Sequence, residues 1–199
     1  MYIRIKRLMT IVIALFGLLV AWPFMLITAV AIKIEDPKGP ILFKQERIGY
    51  KANVFRILKF RSMRVGAEKT GSGVYSDNSD PRVTKVGRLI RATSLDELPQ
   101  LFNMLMGDMS LIGPRPPLTY HPWPIDQYDA EQKRMFDVRP GLTGWAQIHG
   151  RKAVEWHERI KLNVWYVDHM SFALDLKIFF STFLKVLVQE GNENTGKTA

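Results

Sequence analysis

The 199-residue chain contains no cysteine. That excludes a disulfide framework and any thiolate zinc site, although it does not identify a compartment. Its four histidines show no metal-ligand spacing such as HExxH, so they read as surface or core residues. Acidic residues are in short supply, 19 against 28 Lys and Arg, giving a formal net charge of +9. Such a surface suits nucleic acid, anionic lipid or a phosphorylated substrate. No dense basic run and no recognised nucleic-acid motif is visible, which argues against the first of these. No internal repeat is apparent either.

Charge is absent again between Arg7 and Lys33, and here the absence points to a membrane. As one straight helix, residues 8–32 would run roughly 37 Å, enough to cross a ~30 Å hydrocarbon core. The run is too long for the apolar region of a typical signal peptide. Pro23 interrupts it, and proline removes a donor and kinks or breaks a helix. Both flanks are basic, with Arg4, Lys6 and Arg7 before and Lys33, Lys38, Lys44 and Arg47 after. A helix-break-helix that enters and leaves by one face fits that symmetry; a single-span anchor with a tolerated proline stays open.

The remainder reads as one mixed unit. Residues 40–43 and 54–60 are strand-like around a turn at Gly49. Residues 66–81 are rich in Gly, Ser, Asp and Asn and read as an exposed loop. A helix is expected from about Ser94 to Met106, ended by Gly107. Residues 114–124 hold five prolines, so they must be irregular and stiff. Helical spacing returns at Trp156, Ile160, Val164 and Val167. Residues 172–188 are apolar with interspersed lysines, as in a helix at a membrane interface or a core helix. Residues 189–199 read as a loose tail.

The chemistry concentrates in Ser94-Leu95-Asp96-Glu97-Leu98-Pro99-Gln100. Two adjacent carboxylates lie between Arg88 and Arg91 upstream and Gly113-Pro114-Arg115-Pro116 downstream. Carboxylates among arginines suit work on a phosphate, because one can attack or hold a metal while guanidiniums bind the moving group. Ser94-x-x-Glu97 is also a capping-box pattern, which would make Glu97 a helix cap and Asp96 a dipole partner. The segment alone leaves both readings open. Asp108 and Ser110 read as turn residues. Glu46 and Arg47 fit either an ion pair at a strand edge or a headgroup contact.

Taken in order, these stretches resemble the bacterial sugar transferases, the monotopic phosphoglycosyl transferases. The resemblance runs from Lys6 to about Leu187. It rests on Phe43-Lys44-Gln45-Glu46-Arg47-Ile48-Gly49, Lys59-Phe60-Arg61-Ser62-Met63 and Gly87-Arg88-Leu89-Ile90-Arg91. It continues through Ser94 to Gln100, Gly107 to Pro116, Arg139-Pro140-Gly141-Leu142-Thr143-Gly144-Trp145 and Asp175-Leu176-Lys177-Ile178.

The resemblance implies an α/β mixed, mainly helical fold. It implies a re-entrant membrane hairpin over residues 1–35, a cytoplasmic catalytic domain over 36–188 and a tail over 189–199. It also implies a reaction: a phosphosugar moves from a UDP-sugar to polyprenol phosphate at the bacterial inner membrane, with Mg2+ required and an aspartyl-phosphosugar intermediate. Carried over by motif, Asp96 is the nucleophile and lies against the metal, and Glu97 is its partner. Arg91 and Arg115 bind phosphate, with Arg61, Arg88 and Pro116 as further candidates. Such family members often carry Ser-Pro at the helix break, where this chain has Trp22-Pro23, and tryptophan cannot accept the hydrogen bond that serine would. The sugar and the oligomeric state, a homodimer included, stay open. A non-catalytic, membrane-anchored binder of anions or lipid headgroups is the alternative. Carboxylates at an anion site argue against it.

Overall fold

The uncharged run lies within one helix, α1 (Tyr2–Glu35), in a computed structural model that describes residues 2–70, 80–149 and 154–187. The later elements are β1 (Leu42–Ile48), β2 (Val54–Phe60), α2 (Lys85–Ala92), α3 (Gln100–Met106), β3 (Ser110–Ile112), α4 (Ala130–Lys133), β4 (Gly141–Thr143), α5 (Trp145–Ile148), α6 (Trp156–His169) and α7 (Phe172–Leu187). The chain is mainly helical, with two small two-stranded sheets among the described residues. The helix runs through Pro23 without interruption, where the sequence predicts two pieces. One lost bond does not end a helix that is packed along its length. Proline removes its own N–H, so the Leu19 carbonyl loses its helical donor while the turns on either side keep theirs. A proline can bend a helix without ending it.

The two sides of α1 differ. Thr10, Ala14, Ala21, Thr28 and Ile32 are buried, at spacings of four and seven that form one stripe. Small residues on that stripe allow close approach, and a Cβ on Gly17 would sit 3.3 Å from Leu101 of α3. Ala14 and Ala21 share a core with Ile57, Leu101, Met104 and Met109. Ile32 packs with Phe60 and Ile90. On the other side Phe16, Leu19, Trp22 and Ile27 are between 58 and 70% exposed. Each such side chain forgoes about 1.5–3 kcal/mol by facing water, so this face calls for an apolar cover.

Both ends of α1 are fastened to the same body. Lys6 pairs with Asp175 of α7 at 2.7 Å, and the Tyr2 hydroxyl donates to the same carboxylate at 2.5 Å. Tyr166 of α6 donates to its other oxygen at 2.5 Å. At the far end the Glu35 carboxylate accepts from the backbone N–H groups of Lys85 and Val86, at 2.7 and 3.0 Å. These are first-turn donors of α2 that no helical carbonyl can reach.

Strands β1 and β2 pair antiparallel, from Leu42 opposite Phe60 to Ile48 opposite Val54. The first predicted strand therefore extends through Lys44-Gln45-Glu46-Arg47, because a ladder satisfies the backbone whatever the side chains are. Strands β3 and β4 pair in parallel. A Cβ on Gly141 would lie 2.1 Å from the Gly113 nitrogen, so only glycine permits that approach. The predicted helical spacing after Trp156 is met by α6, which buries Ile160 and Val164. Helix α7 buries Asp175 and Ile178 but leaves Phe172, Phe179, Phe180 and Phe183 exposed. The predicted tail, and residues 71–79 of the predicted loop, lie outside the described residues.

The Lys6–Asp175 pair gives a direct test of this fastening. Its side chains are only 13% and 9% exposed. Asp175→Asn leaves a buried ammonium without its counter-charge and is expected to cost about 3–5 kcal/mol of stability. Thermal unfolding in detergent should show the loss.

Candidate functional site

Helix α2 starts at Thr84, whose hydroxyl accepts from Gly87 N at 2.9 Å. A Cβ on Gly87 would stand 1.9 Å from the Ser62 carbonyl oxygen. The helix thus lies directly on the chain that leaves β2, which only glycine allows. One turn later Arg91 donates through Nε to the Ser62 hydroxyl at 2.8 Å. Glycine and arginine four residues apart work as one device: the first brings α2 down, the second locks onto what it meets.

The next residues depart from the predicted helix. Ser94 takes a left-handed conformation, φ 57 and ψ 15, and its side chain makes no cap bond. Residues Leu95–Glu97 form a single 3-10 turn, and α3 begins only at Gln100, after Pro99. The predicted C-terminus does hold, since Gly107 has φ 97 and its N–H reaches Asn103 O at 3.1 Å. The Ser94 half of the capping box does not form. The Glu97 carboxylate pairs with Lys59 of β2 at 2.7 Å. A left-handed conformation at a non-glycine residue costs roughly 1–2 kcal/mol. Here it reverses the chain just ahead of the acidic pair.

Asp96 is half-buried between these groups. Burial pushes its carboxyl up to about 6; the Lys59 charge pulls it down, Glu97 raises it further and Arg91 lowers it. Arg91 is itself held below the usual guanidinium value by burial, while the Asp96 and Asp80 charges oppose that fall. Asp80 forms a buried pair with Arg82 at 2.7 Å. The sequence predicts Asp96, Glu97 and Arg91 as site residues, and their charges act on one another here.

The other predicted residues spread out. Arg115 is half-buried and forms no hydrogen bond or ion pair among the described residues. The Pro116 carbonyl accepts from Arg47 at 3.1 Å. Arg61 is buried and its guanidinium pairs with Asp36, just past the end of α1. It joins the chain just past α1 to the chain just past β2. Arg88 is exposed on α2, beside exposed Leu89. Lys59 had no predicted role, although a lysine inside the apolar run Ile57-Leu58-Lys59-Phe60 was the available signal. Asp108 receives Asn103 Nδ2 at 3.1 Å and holds the turn after α3.

This arrangement can keep an ionised carboxylate at neutral pH in a half-buried place ringed by cations. Among the described residues there is no group of three or more His, Cys, Asp or Glu suited to hold a metal. Asp96 and Glu97 are instead two adjacent carboxylates. Mg2+ is typically held in that style, by one or two carboxylates with phosphate oxygens and water completing the shell.

The acidic pair, with Lys59 and Arg91 acting on it, lies in a chain whose long N-terminal helix is apolar enough to anchor in a membrane. The chain belongs to the bacterial sugar transferase family, whose profile it matches over residues 1–189. It is 44% identical to the uncharacterised sugar transferase EpsL of Bacillus subtilis, over 96% of this chain and 91% of that one. It is also 44% identical to the UDP-N-acetylgalactosamine-undecaprenyl-phosphate N-acetylgalactosaminephosphotransferase of Aeromonas hydrophila, over 96% of this chain. A third relative is the UDP-glucose:undecaprenyl-phosphate glucose-1-phosphate transferase of Escherichia coli, 38% identical over 94% of this chain. The chain spans 45% and 41% of the length of these last two.

The raised Asp96 pKa has a signed consequence for stability. The folded state holds the Asp96 proton up to about 6, whereas the ordinary value is 3.8. Between these values the folded state binds more protons than the unfolded, so stability falls as pH rises through that window and stays lowered above it. Asp96→Asn removes the ionisation. It is expected to melt above the wild type at pH 7–8 and level with it near pH 4, as measured by thermal shift across pH.

Proposed function

We infer that this chain transfers a phosphosugar from a UDP-sugar to polyprenol phosphate, forming a polyprenyl diphosphate sugar and UMP. The observation that carries this reading is the half-buried Asp96 beside Glu97, which Lys59 pairs at 2.7 Å, with Arg91 locked onto Ser62 at 2.8 Å; burial pushes the Asp96 carboxyl up to about 6. Above that pH the carboxylate is ionised. A carboxylate attacks an anionic phosphorus centre only when nearby cations neutralise the phosphate oxygens. In the first step an Asp96 oxygen bonds to the sugar-bearing phosphorus. The bridging P–O bond breaks and its electron pair leaves on UMP. In the second step an oxygen of polyprenol phosphate attacks the same phosphorus and the Asp96–phosphorus bond breaks, restoring the carboxylate. Arg91, braced on Ser62, holds the transferring phosphate. Lys59 keeps Glu97 beside Asp96 and opposes the burial that would protonate Asp96. Mg2+, held by Asp96 with Glu97 near, would supply further neutralisation of the diphosphate. The sugar is whichever the 114–124 segment and its surroundings admit.

The apolar face of α1 and the exposed phenylalanines of α7 support a site at the membrane surface, where the polyprenol chain lies. A re-entrant arrangement on the cytoplasmic face of the inner membrane fits best. Lys6 and Glu35 lie roughly 44 Å apart along the helix, yet both are tied to the same body. Full crossing would require one of those ends to let go.

Two measurements test this reading. Incubation with UDP-sugar and Mg2+, without polyprenol phosphate, should add one phosphosugar mass to the peptide containing Asp96 and release UMP; Asp96→Asn should do neither. Absence of any adduct, with sequential kinetics, would mean direct transfer. For topology, cysteines introduced at Arg4 and Lys38, both exposed, should both resist a membrane-impermeant thiol reagent in intact cells. Labelling at position 4 alone would establish a crossing helix.

A further inference from the structure

A cavity of about 50 Å3 lies against the first turns of α1. Lys6, Arg7, Tyr50 and Arg139 line it, and among the described residues Asp137 is the only acid that does. Lys6 is already matched by buried Asp175 at 2.7 Å. The two arginines are held by carbonyls, which fix a guanidinium in place without cancelling its charge. Arg7 donates to Met104 O and Leu105 O, at 2.5 and 2.9 Å, and Arg139 Nε donates to Gly107 O at 2.8 Å. Both guanidiniums thus close on the last turn of α3. That of Arg139 also lies 5.2 Å over the Tyr50 ring, at the tip of the β1–β2 hairpin. Its direction is set from two sides, yet its terminal nitrogens form no hydrogen bond or ion pair among the described residues. They are the donors the cavity has to spare.

The remaining wall is apolar, with Ile3, Met109 and Met170. Arg7 is the last charge before the uncharged run that begins at Leu8. Met170 stands two residues before α7, whose Phe172 is 52% exposed. The exposed apolar faces of α1 and α7 therefore both start at this cavity. Ile3 and Asp137 are exposed, so it reaches the surface. Cations at the edge of an apolar face lie at the depth of lipid headgroups. The acidic pair is elsewhere. Leu95 and Leu98, on either side of Asp96, pack with Met25 and Ile32, roughly 27–37 Å along α1 from Arg7. A phosphate in this cavity is out of reach of Asp96.

We propose that the cavity binds one phospholipid of the bilayer by its phosphodiester. Arg139 grips the phosphate oxygens through its free edge, as a planar guanidinium can. Arg7 adds charge beside it, and the acyl chains run out past Ile3 along the exposed side of α1. A lipid bound there holds the N-terminal end of α1 at headgroup level. This rests on the reading of α1 as a membrane helix and is independent of the transfer chemistry.

Native mass spectrometry of the full chain, released from detergent containing phosphatidylglycerol, tests this with no sugar donor present. The wild type should retain one phosphatidylglycerol molecule, and diacylglycerol, which lacks the phosphate, should not compete. Arg139→Gln should weaken retention roughly ten- to a hundredfold, the loss expected of a charge-assisted contact. Asp137→Asn removes the acid at the rim and should strengthen retention by roughly two- to fivefold, as removal of an exposed like charge does. Asp137 is exposed, so this variant folds and carries the comparison should Arg139→Gln not. If wild type and both variants retain the lipid equally, it adheres to the apolar faces alone, Arg139 is only a cap for α3, and the proposal fails. It fails too if diacylglycerol competes as well as phosphatidylglycerol. Displacement of the lipid by glycerol phosphate at equal concentration would mark a site for soluble anions and overturn it as well. A chain that retains the lipid yet forms no Asp96 adduct upholds this site and overturns the aspartyl intermediate; the converse result does the reverse.

Discussion

The contact on which the rest depends is the small-residue stripe of α1 against the body of the chain. Ala14, Gly17 and Ala21 let α3 and the β-structure approach the helix backbone, and Thr10 adds a buried hydroxyl contact to Ser110 of β3 at 3.1 Å. A larger residue on that stripe would push out the elements that carry the acidic pair. The same packing explains how one helix serves two environments. One side supplies a protein core; the other presents large apolar side chains that need lipid or an equivalent cover.

From that base the site is assembled by backbone approach more than by loops. Glu35 at the end of α1 satisfies the opening N–H groups of α2. Gly87 then lets α2 rest on Ser62, and Arg91 arrives where Ser62 can hold it. Ser94 reverses the chain in a conformation unusual outside glycine. Strand β2 brings Lys59 to Glu97 from the other side. Three segments distant in sequence thus set the charge of one carboxylate.

The electrostatics follow from that geometry. Burial raises the Asp96 carboxyl, and lysine and arginine oppose that rise. The opposing effects leave the Asp96 carboxyl pushed up to about 6. Arg47 shows the complementary case, a cation retained in spite of burial and a like-charged neighbour.

The chain's own order of residues determined a good deal. The uncharged run at 8–32, the strands around Gly49, the helical period after Trp156 and the stop at Gly107 are all local signals, and each corresponds to an element. Asp96, Glu97 and Arg91 are close in sequence, and their charges act on one another in the fold. What sequence could not decide was which local pattern would yield. Pro23 reads as a break, yet the turns around it hold because the small-residue stripe is packed along its length. Ser94-x-x-Glu97 reads as a cap, yet Ser94 is left-handed and makes no cap bond, and Glu97 pairs with the distant Lys59. Arg61 and Arg47 look alike in sequence. Only tertiary contacts give the first a carboxylate at Asp36 and the second the Pro116 carbonyl. Those outcomes depend on residues tens of positions apart, and no local period or propensity carries that information.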